Sequence, residues 1–279
     1  MSMQHLETEF RKQGKGNLAD IIASVHKLNG SDIPLPSATV PSQRESLPTR
    51  VFPEAELFPT SDDGLNEAIV ELRANPFSPE AVTNYWKTKL QLDGKRIGLE
   101  ISVPDCNWTE DEIKKPMVGK KGEEVPSMMV YIPQELTGQE GLKKLGQMYP
   151  KMRSSSAQEG TTVQDSPDAN KQGGWIKAEA TVDAPNLDTT QGDLEKHAKK
   201  QGYFPQRENA YILASQASKD LTGHYLDEGS TWSRLGSRGG GSVVYADFGS
   251  VGRLDVRWAL DPRSHDARVG GRFEEVKKA

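Results

Sequence analysis

The sequence predicts an α+β fold in which a largely antiparallel or mixed sheet is packed by several helices. Stretches with apolar residues at helical spacing are interspersed with stretches in which apolar and polar residues alternate, without a regular strand–helix–strand rhythm. The C-terminal third of the chain is dominated by the alternating patterns, so it is predicted to be rich in strands. Closely spaced prolines before residue 60 predict an extended Pro-rich N-terminal arm.

Residues 1–60 are predicted to form a helix followed by that arm. Asn17 is a candidate N-cap, and the apolar residues behind it recur at helical spacing until Asn29-Gly30 ends the helix. The prolines between residues 31 and 60 exclude a helix and a central strand, which favours a linker or an arm that wraps the body. We interpret the helix as packing on the body of the protein. Docking on a protein partner through the helix and the arm is the alternative.

Helices are predicted next over Asp63–Ala74 and after Ser78-Pro79, where serine is a candidate N-cap and proline occupies the first helical position. Thr109 and Glu112 have the spacing of a capping box, and Thr137 is a candidate cap of a further helix.

Strands are predicted where apolar residues alternate with polar ones or form a short apolar run. The clearest alternation is Ile97–Val103, and Met128–Ile132 and Trp175–Val182 are the next candidates. Near the C-terminus, Gly249–Gly252 separates two alternating segments and therefore predicts a β-hairpin.

The composition divides the rest of the chain into three parts. Residues 61–150 form one α+β segment, residues 151–173 are polar and predict a mobile loop or a boundary, and residues 174–279 form a second α+β segment. Within the last part, helices are predicted over Asp193–Gln201 and from Pro205 to Gly223. Residues 61–279 are expected to form one globular body.

Charge and cysteine content exclude several classes of protein. The net charge is −5 and the isoelectric point is about 5.7, which makes nucleic-acid binding unlikely because that function needs a basic surplus. Cys106 is the single cysteine, so an intramolecular disulfide is excluded. The N-terminus lacks the pattern of a secretory signal, and no apolar run reaches the length of a membrane span. We therefore expect a soluble cytoplasmic protein, with signal-independent export as an open alternative.

Arginines and glycines near the C-terminus suggest a site for an anionic ligand. Arg238 lies in the Gly-rich segment 236–242, whose backbone N–H groups can cradle an anion. Arg253 and Arg257 share one face of a predicted strand with Asp255 between them, an arrangement that suits a phosphate or a carboxylate. The alternative interpretation is a solvated strand face whose charges pair with their neighbours.

Two residues are candidates for catalysis. His224 is a candidate general acid or base, because histidine is the side-chain type whose ordinary pKa lies near neutral pH. Cys106 follows a predicted strand and precedes a predicted helix N-terminus, where a thiolate is favoured. No cofactor or metal is predicted, because neither a nucleotide-binding fingerprint nor a metal-ligand spacing is present. Trp232 could stack against a ligand, but we interpret it as a core residue.

No sequence motif of a known catalytic class is present, and this favours a non-catalytic interaction protein. The alternative is an enzyme or a small-molecule binder whose anionic ligand is held by Arg238, Arg253 and Arg257, with His224 as acid or base. The two hypotheses differ in whether these side chains converge on one cleft.

Overall fold

The computed structural model of the protein describes residues 62–152, 163–164, 173–239, 242–257 and 261–277, and only the backbone of residues 163, 164, 238 and 239. The predicted N-terminal helix and Pro-rich arm lie outside these residues, as does most of the predicted loop 151–173. The described part combines helices with two larger sheets and one small sheet, so the predicted α+β class is confirmed.

Two helices joined by a short turn begin the described chain. Helix α1 covers Asp63–Ala74, and its N-cap Asp62 accepts a hydrogen bond from the backbone of Leu65. Helix α2 covers Pro79–Lys95, with Ser78 as N-cap and Pro79 at the first position. Both predicted helices are confirmed.

The predicted strand over Ile97–Val103 is not a strand among the described residues. The segment alternates between buried and exposed residues, but it pairs with no described strand. The alternation records which side chains are buried, and it carries no information on whether a neighbouring strand exists. A short helix α3, Glu110–Lys114, follows with the predicted capping box of Thr109 and Glu112.

The first larger sheet has four antiparallel strands in the order β3-β5-β11-β6. Strand β3 covers Ser127–Ile132 and β5 covers Gly174–Glu179, as the apolar runs predicted. Strand β11 covers Phe273–Val276, and β6 covers Phe204–Pro205. A separate two-stranded sheet is formed by β1 (Met117–Val118) and β2 (Glu124–Val125).

The second larger sheet is built by the C-terminal third, as predicted. Its main path is β10-β7-β8-β9, in which only the β10–β7 pair is parallel. The strands are β7 (Trp232–Gly239), β8 (Ser242–Phe248), β9 (Leu254–Arg257) and β10 (Val269–Gly271). The two residues of β4, Val163–Gln164, pair with the end of β7. We call these strands the C-terminal sheet.

Three further helices complete the described chain. Helix α4 covers Gly138–Met148 between short 3₁₀ turns, and α5 covers Gln191–Gln201 with its predicted end at Gly202. Helix α6 covers Glu208–Thr222, almost entirely buried, and Gly223 ends it in the left-handed conformation. Pro205 was predicted to open this helix but lies in β6, the last strand of its sheet, where a missing N–H is tolerated.

A buried network of hydrogen bonds around the ion pair of Arg272 and Asp227 connects the C-terminal sheet to neighbouring elements. Arg272, fully buried, donates to both carboxylate oxygens of Asp227 at 3.1 and 3.3 Å and to the backbone carbonyl of Val182 at 3.0 Å. Asp227 also accepts hydrogen bonds from the hydroxyls of Tyr211, Thr231 and Ser233. Because every partner comes from a different element or loop, the network fixes the position of β7.

No helix within the described ranges is long and apolar enough to cross a membrane.

Candidate functional site: the outer face of the C-terminal sheet

Alternation along β8 and β9 gives the C-terminal sheet one buried face and one partly exposed face. Val244, Ala246, Phe248, Leu254 and Val256 are buried against the body. The intervening residues point the opposite way, because successive side chains of a strand lie on opposite faces. We call this second surface the outer face, and define it by Trp232, Tyr245, Asp247, Arg253, Asp255 and Arg257.

The register of the strands brings three of these side chains into one stack. Tyr245 lies directly opposite Arg257 in the β8–β9 ladder. The guanidinium carbon of Arg257 lies 4.7 Å from the centroid of the Trp232 ring, and the rings of Trp232 and Tyr245 are 5.3 Å apart. Such a cation–π contact holds the guanidinium flat on the indole, while Arg257 remains exposed. The outer face therefore presents two aromatic rings and a guanidinium as one surface.

Two aspartates face each other beside the stack. Asp247 lies opposite Asp255 in the same ladder, and Asp255 pairs with Arg253 at 3.0 Å. Partial burial, followed by the charge of Asp255, raises the pKa of Asp247 to about 7, although Arg257 and Arg253 act in the opposite direction. Its Oδ1 atom is shielded from water and accepts no hydrogen bond from the described residues. Asp247 is thus a carboxyl that lacks a donor for one of its oxygens.

The outer face combines aromatic and charged groups. It offers aromatic area, a fixed guanidinium and a carboxyl that gains or loses its proton near neutral pH. At its edge, β9 is bonded on one side to β8 and ends the sheet among the described residues. No nucleophile of the described chain adjoins a general base on this face.

No protein-family model, no curated protein and no solved structure matches this chain.

The three arginines that were predicted to bind an anion lie in different surroundings. Arg253 and Arg257 lie on the outer face and both are exposed, but Arg253 is paired with Asp255 and Arg257 is stacked on Trp232. The backbone of Arg238 pairs with β8 and β4 near the tip of the β7–β8 hairpin, so the Gly-rich segment forms that hairpin. The side chain of Arg238 lies outside the described atoms, and binding of an anion by the three arginines stays a prediction.

His224 lies beyond the end of α6 and belongs to a separate surface cluster. Its side chain is 60% exposed, and its Nδ1 atom is 3.6 Å from a carboxylate oxygen of Glu228. Glu228 also lies 3.6 Å from the amine of Lys219. Among the described atoms, the side chain of His224 contacts Glu228 and none of the predicted arginines, and its catalytic role stays a prediction.

Cys106 is half-buried between the extended segment and α3. Its backbone N–H donates to the hydroxyl of Thr83 at 2.8 Å. Burial raises the pKa of the thiol, and this outweighs the opposite effects of the Trp108 backbone N–H and of Lys277. A nucleophilic cysteine needs a lowered pKa, so the structure gives the thiol no activation.

Three residues of the outer face were not among the predicted site residues. Trp232 was interpreted as a core residue, but the structure places it half-buried beneath Arg257. Tyr245 and Asp247 were not predicted, because their role depends on which residues lie opposite them on the neighbouring strand. Asp247 lies opposite Asp255 because Gly249 pairs with Arg253 across the loop, whereas the predicted four-residue loop at 249–252 would place Asp247 opposite Leu254.

Proposed function

We propose that the protein is a non-catalytic interaction protein and that the outer face is a protein-binding surface. The observation that carries the proposal is the stack of Arg257 on Trp232 beside Tyr245, next to a carboxylate oxygen of Asp247 that lacks a donor.

The residue types on this face support a protein partner. Tryptophan, tyrosine and arginine are the residues that contribute most to binding energy at protein interfaces. They lose little conformational freedom on binding when they are already held in place, as the stack holds Arg257. The network of Asp227 and Arg272 lies within the same part of the fold and keeps the supporting strand fixed.

The charges define the chemistry of the partner. Arg253 is already neutralised by Asp255, whereas burial and the charge of Asp255 raise the pKa of the Asp247 carboxyl. A lysine or arginine of the partner placed near Asp247 would favour the ionised carboxyl by its charge. The partner is therefore expected to present a basic side chain within an apolar or aromatic patch.

A photo-crosslinking experiment tests the location of the interface. A photoreactive residue replaces Arg257 in the intact protein, which is then irradiated in an extract of the cells that make it. We expect one discrete crosslinked partner, and we expect Asp247→Ala in the same chain to remove the product.

Arg263 offers a matched control position. It is an exposed arginine paired with Asp261 at 3.1 Å, two residues away, as Arg253 is with Asp255. A photoreactive residue at position 263 is expected to give no discrete product. Equal products at positions 257 and 263, or none at 257, would contradict the proposal.

The alternative of an anionic ligand has its own test. If Arg253 and Arg257 bind a phosphate, inorganic phosphate at a hundred times its dissociation constant stabilises the protein by about 2.7 kcal/mol. Arg257→Ala would abolish that stabilisation, while Arg263→Ala would leave it. This outcome would favour the small-ligand hypothesis over a protein interface.

A further inference from the structure

Arg234 is a buried arginine that was not among the predicted anion ligands. It lies on β7 opposite Tyr245 of β8, and Tyr245 lies opposite Arg257 of β9. Residues opposite one another in a ladder point to the same side of the sheet, so the three side chains form one row on the side of the outer face. Arg257 is exposed, whereas Arg234 is only 1% exposed. The row therefore contains one accessible arginine and one covered arginine, with a tyrosine between them.

The charge of Arg234 has no carboxylate beside it within the described ranges. Its guanidinium donates to the backbone carbonyls of Thr189 and Ser264 and to the Ser264 hydroxyl. Burial lowers the pKa of Arg234, and the charge of Asp266 raises it by less. The carboxylate of Asp266 itself pairs with Arg268. A buried cation that contacts only neutral acceptors is unfavourable, because it has lost hydration without gaining an opposite charge.

One edge of the Arg234 guanidinium is only partly used. The Nε and Nη2 atoms of an arginine share an edge, and this edge can bind a carboxylate or a phosphate through two parallel hydrogen bonds. Nη2 donates to the carbonyl of Ser264 at 2.9 Å, whereas Nε donates to no described acceptor. Nη1, on the far side, is held by Thr189. Ser264 thus occupies the edge that fits an oxyanion.

Ser264 belongs to a loop that has few contacts with the body. None of residues 261–268 is buried. Besides the bonds of Arg234, the described hydrogen bonds between this loop and other elements join the pairs Gln191–Pro262, Trp232–Arg268 and His265–Asp188. A segment without buried apolar contacts opens locally at a low cost in free energy.

We propose that Arg234 binds a carboxylate or phosphate group through its Nε and Nη2 atoms, and that residues 261–268 form a lid over this site. In the closed lid the carbonyl of Ser264 takes the place of the anion. Binding replaces one hydrogen bond to a neutral carbonyl by two charge-assisted ones, and it supplies the negative charge that Arg234 lacks. The site is separate from the proposed protein interface, and it uses an arginine other than the three predicted from the sequence.

NMR of the arginine side chain tests the site in the full-length protein. The Nε–Hε signal of Arg234, assigned by correlation to its own backbone, is followed while inorganic phosphate or acetate is added. We expect a saturable shift of this signal, and the probe that causes it shows which oxyanion the site prefers. Arg234→Lys keeps the charge but loses the two-donor edge, and should weaken binding about tenfold or more. No shift with either probe would overturn the proposal.

A variant of the lid tests the competition and leaves Arg234 in place. Ser264→Ala removes the hydroxyl that bonds to the Asp261 carbonyl and to Arg234, so the closed lid is weakened. It should tighten phosphate binding by about twofold to tenfold, the worth of one hydrogen bond. Ser102→Ala, at an exposed serine elsewhere, and Arg253→Ala should leave the dissociation constant unchanged. Loss of binding in Arg253→Ala would move the anion to the outer face and overturn the proposal.

Amide hydrogen exchange reports the movement of the lid. The N–H of Gln191 donates to Pro262 of the lid at 2.9 Å, and the N–H of Gly236 donates to Gln206, outside the lid, at 2.8 Å. Saturating phosphate should speed the exchange of Gln191 by about tenfold or more and leave that of Gly236 unchanged. Binding with unchanged exchange of Gln191 would show that the loop stays closed, and would contradict the lid.

Discussion

At the scale of single residues, the structure contains two kinds of charged side chain. Some are fully hydrogen-bonded within the fold, and others lack a hydrogen-bond partner for one of their atoms. Arg272 and Asp227 are fully buried and satisfy one another with several further hydrogen bonds. Asp247 is less buried, but one of its oxygens lacks a donor and a second carboxylate faces it. Under the proposed function the charge of a partner would act on Asp247, whereas Asp227 and Arg272 hold the fold together.

The titration of Asp247 is the first prediction at this scale. Its pKa is expected near 7, because burial and Asp255 together outweigh Arg257 and Arg253. Asp255→Asn should lower the pKa, since it removes a negative charge. Arg257→Ala should raise it, since it removes a positive charge. Carboxyl ¹³C chemical shifts recorded against pH measure all three values, and shifts of the opposite sign would refute this description of the outer face.

Glu179 gives the second prediction, which concerns stability. Its carboxyl is fully buried, and this burial raises its pKa to about 8. The hydrogen bond from the Phe273 N–H and the charge of Arg272 lower the pKa, but their effect is smaller. Between pH 4.5 and pH 8 the folded protein therefore keeps a proton that the unfolded chain releases. Raising the pH through this window lowers the free energy of unfolding.

Urea unfolding at several pH values measures the effect. Between about pH 5 and about pH 8, the ionisation of Glu179 is expected to lower the free energy of unfolding by on the order of 3 kcal/mol. Glu179→Gln stays neutral throughout, so its stability should fall much less over the same range. If the natural protein and the variant showed equal dependence on pH, the raised pKa would be wrong.

At the scale of elements, close backbone approaches decide where strands can lie. Gly236 sits where the β7–β8 register shifts, and its N–H donates to the carbonyl of Gln206 at 2.8 Å. A Cβ atom at this position would lie 2.5 Å from the carbonyl oxygen of Pro205. The two sheets meet here, and only a residue without a side chain allows it.

Gly236→Ala is therefore expected to lower the free energy of unfolding by about 1–3 kcal/mol, because β6 and β7 must separate. Gly249→Ala is the matched control, since its Cβ would lie 3.8 Å from the carbonyl oxygen of Arg253, the nearest atom. Denaturant unfolding of both variants distinguishes them. Equal stability of the two variants would show that the approach of β6 to β7 does not restrict residue 236.

Local signals in the sequence predicted most of the elements, and long-range pairing explains the failures. The capping box of Thr109 and Glu112 and the Ser78-Pro79 start depend on residues within one turn, and the structure confirms both. The segment Ile97–Val103 failed as a strand because pairing depends on residues far away. Trp232 failed as a core residue for the same reason, since its ring packs with Tyr245 on the next strand.

At the scale of the whole molecule, the described residues leave one face of the C-terminal sheet partly exposed. The core face of the C-terminal sheet packs on the body, and Arg272 ties the sheet to it. The outer face is left with aromatic rings, a fixed guanidinium and an aspartate that lacks a donor. The candidate site could be predicted only in part. Arg253 and Arg257 lie close together in the sequence, whereas Trp232 and Asp247 come next to them only through strand pairing.

The affinity for the crosslinked partner is the most direct measure of the central claim, that the outer face binds a protein. Tyr245→Ala removes an aromatic ring from the stack and should weaken binding by about tenfold or more, as loss of an interface hot spot does. Arg263→Ala, an exposed arginine outside the face, should leave the dissociation constant unchanged. If Tyr245→Ala bound as tightly as the natural protein, the outer face would not be the interface.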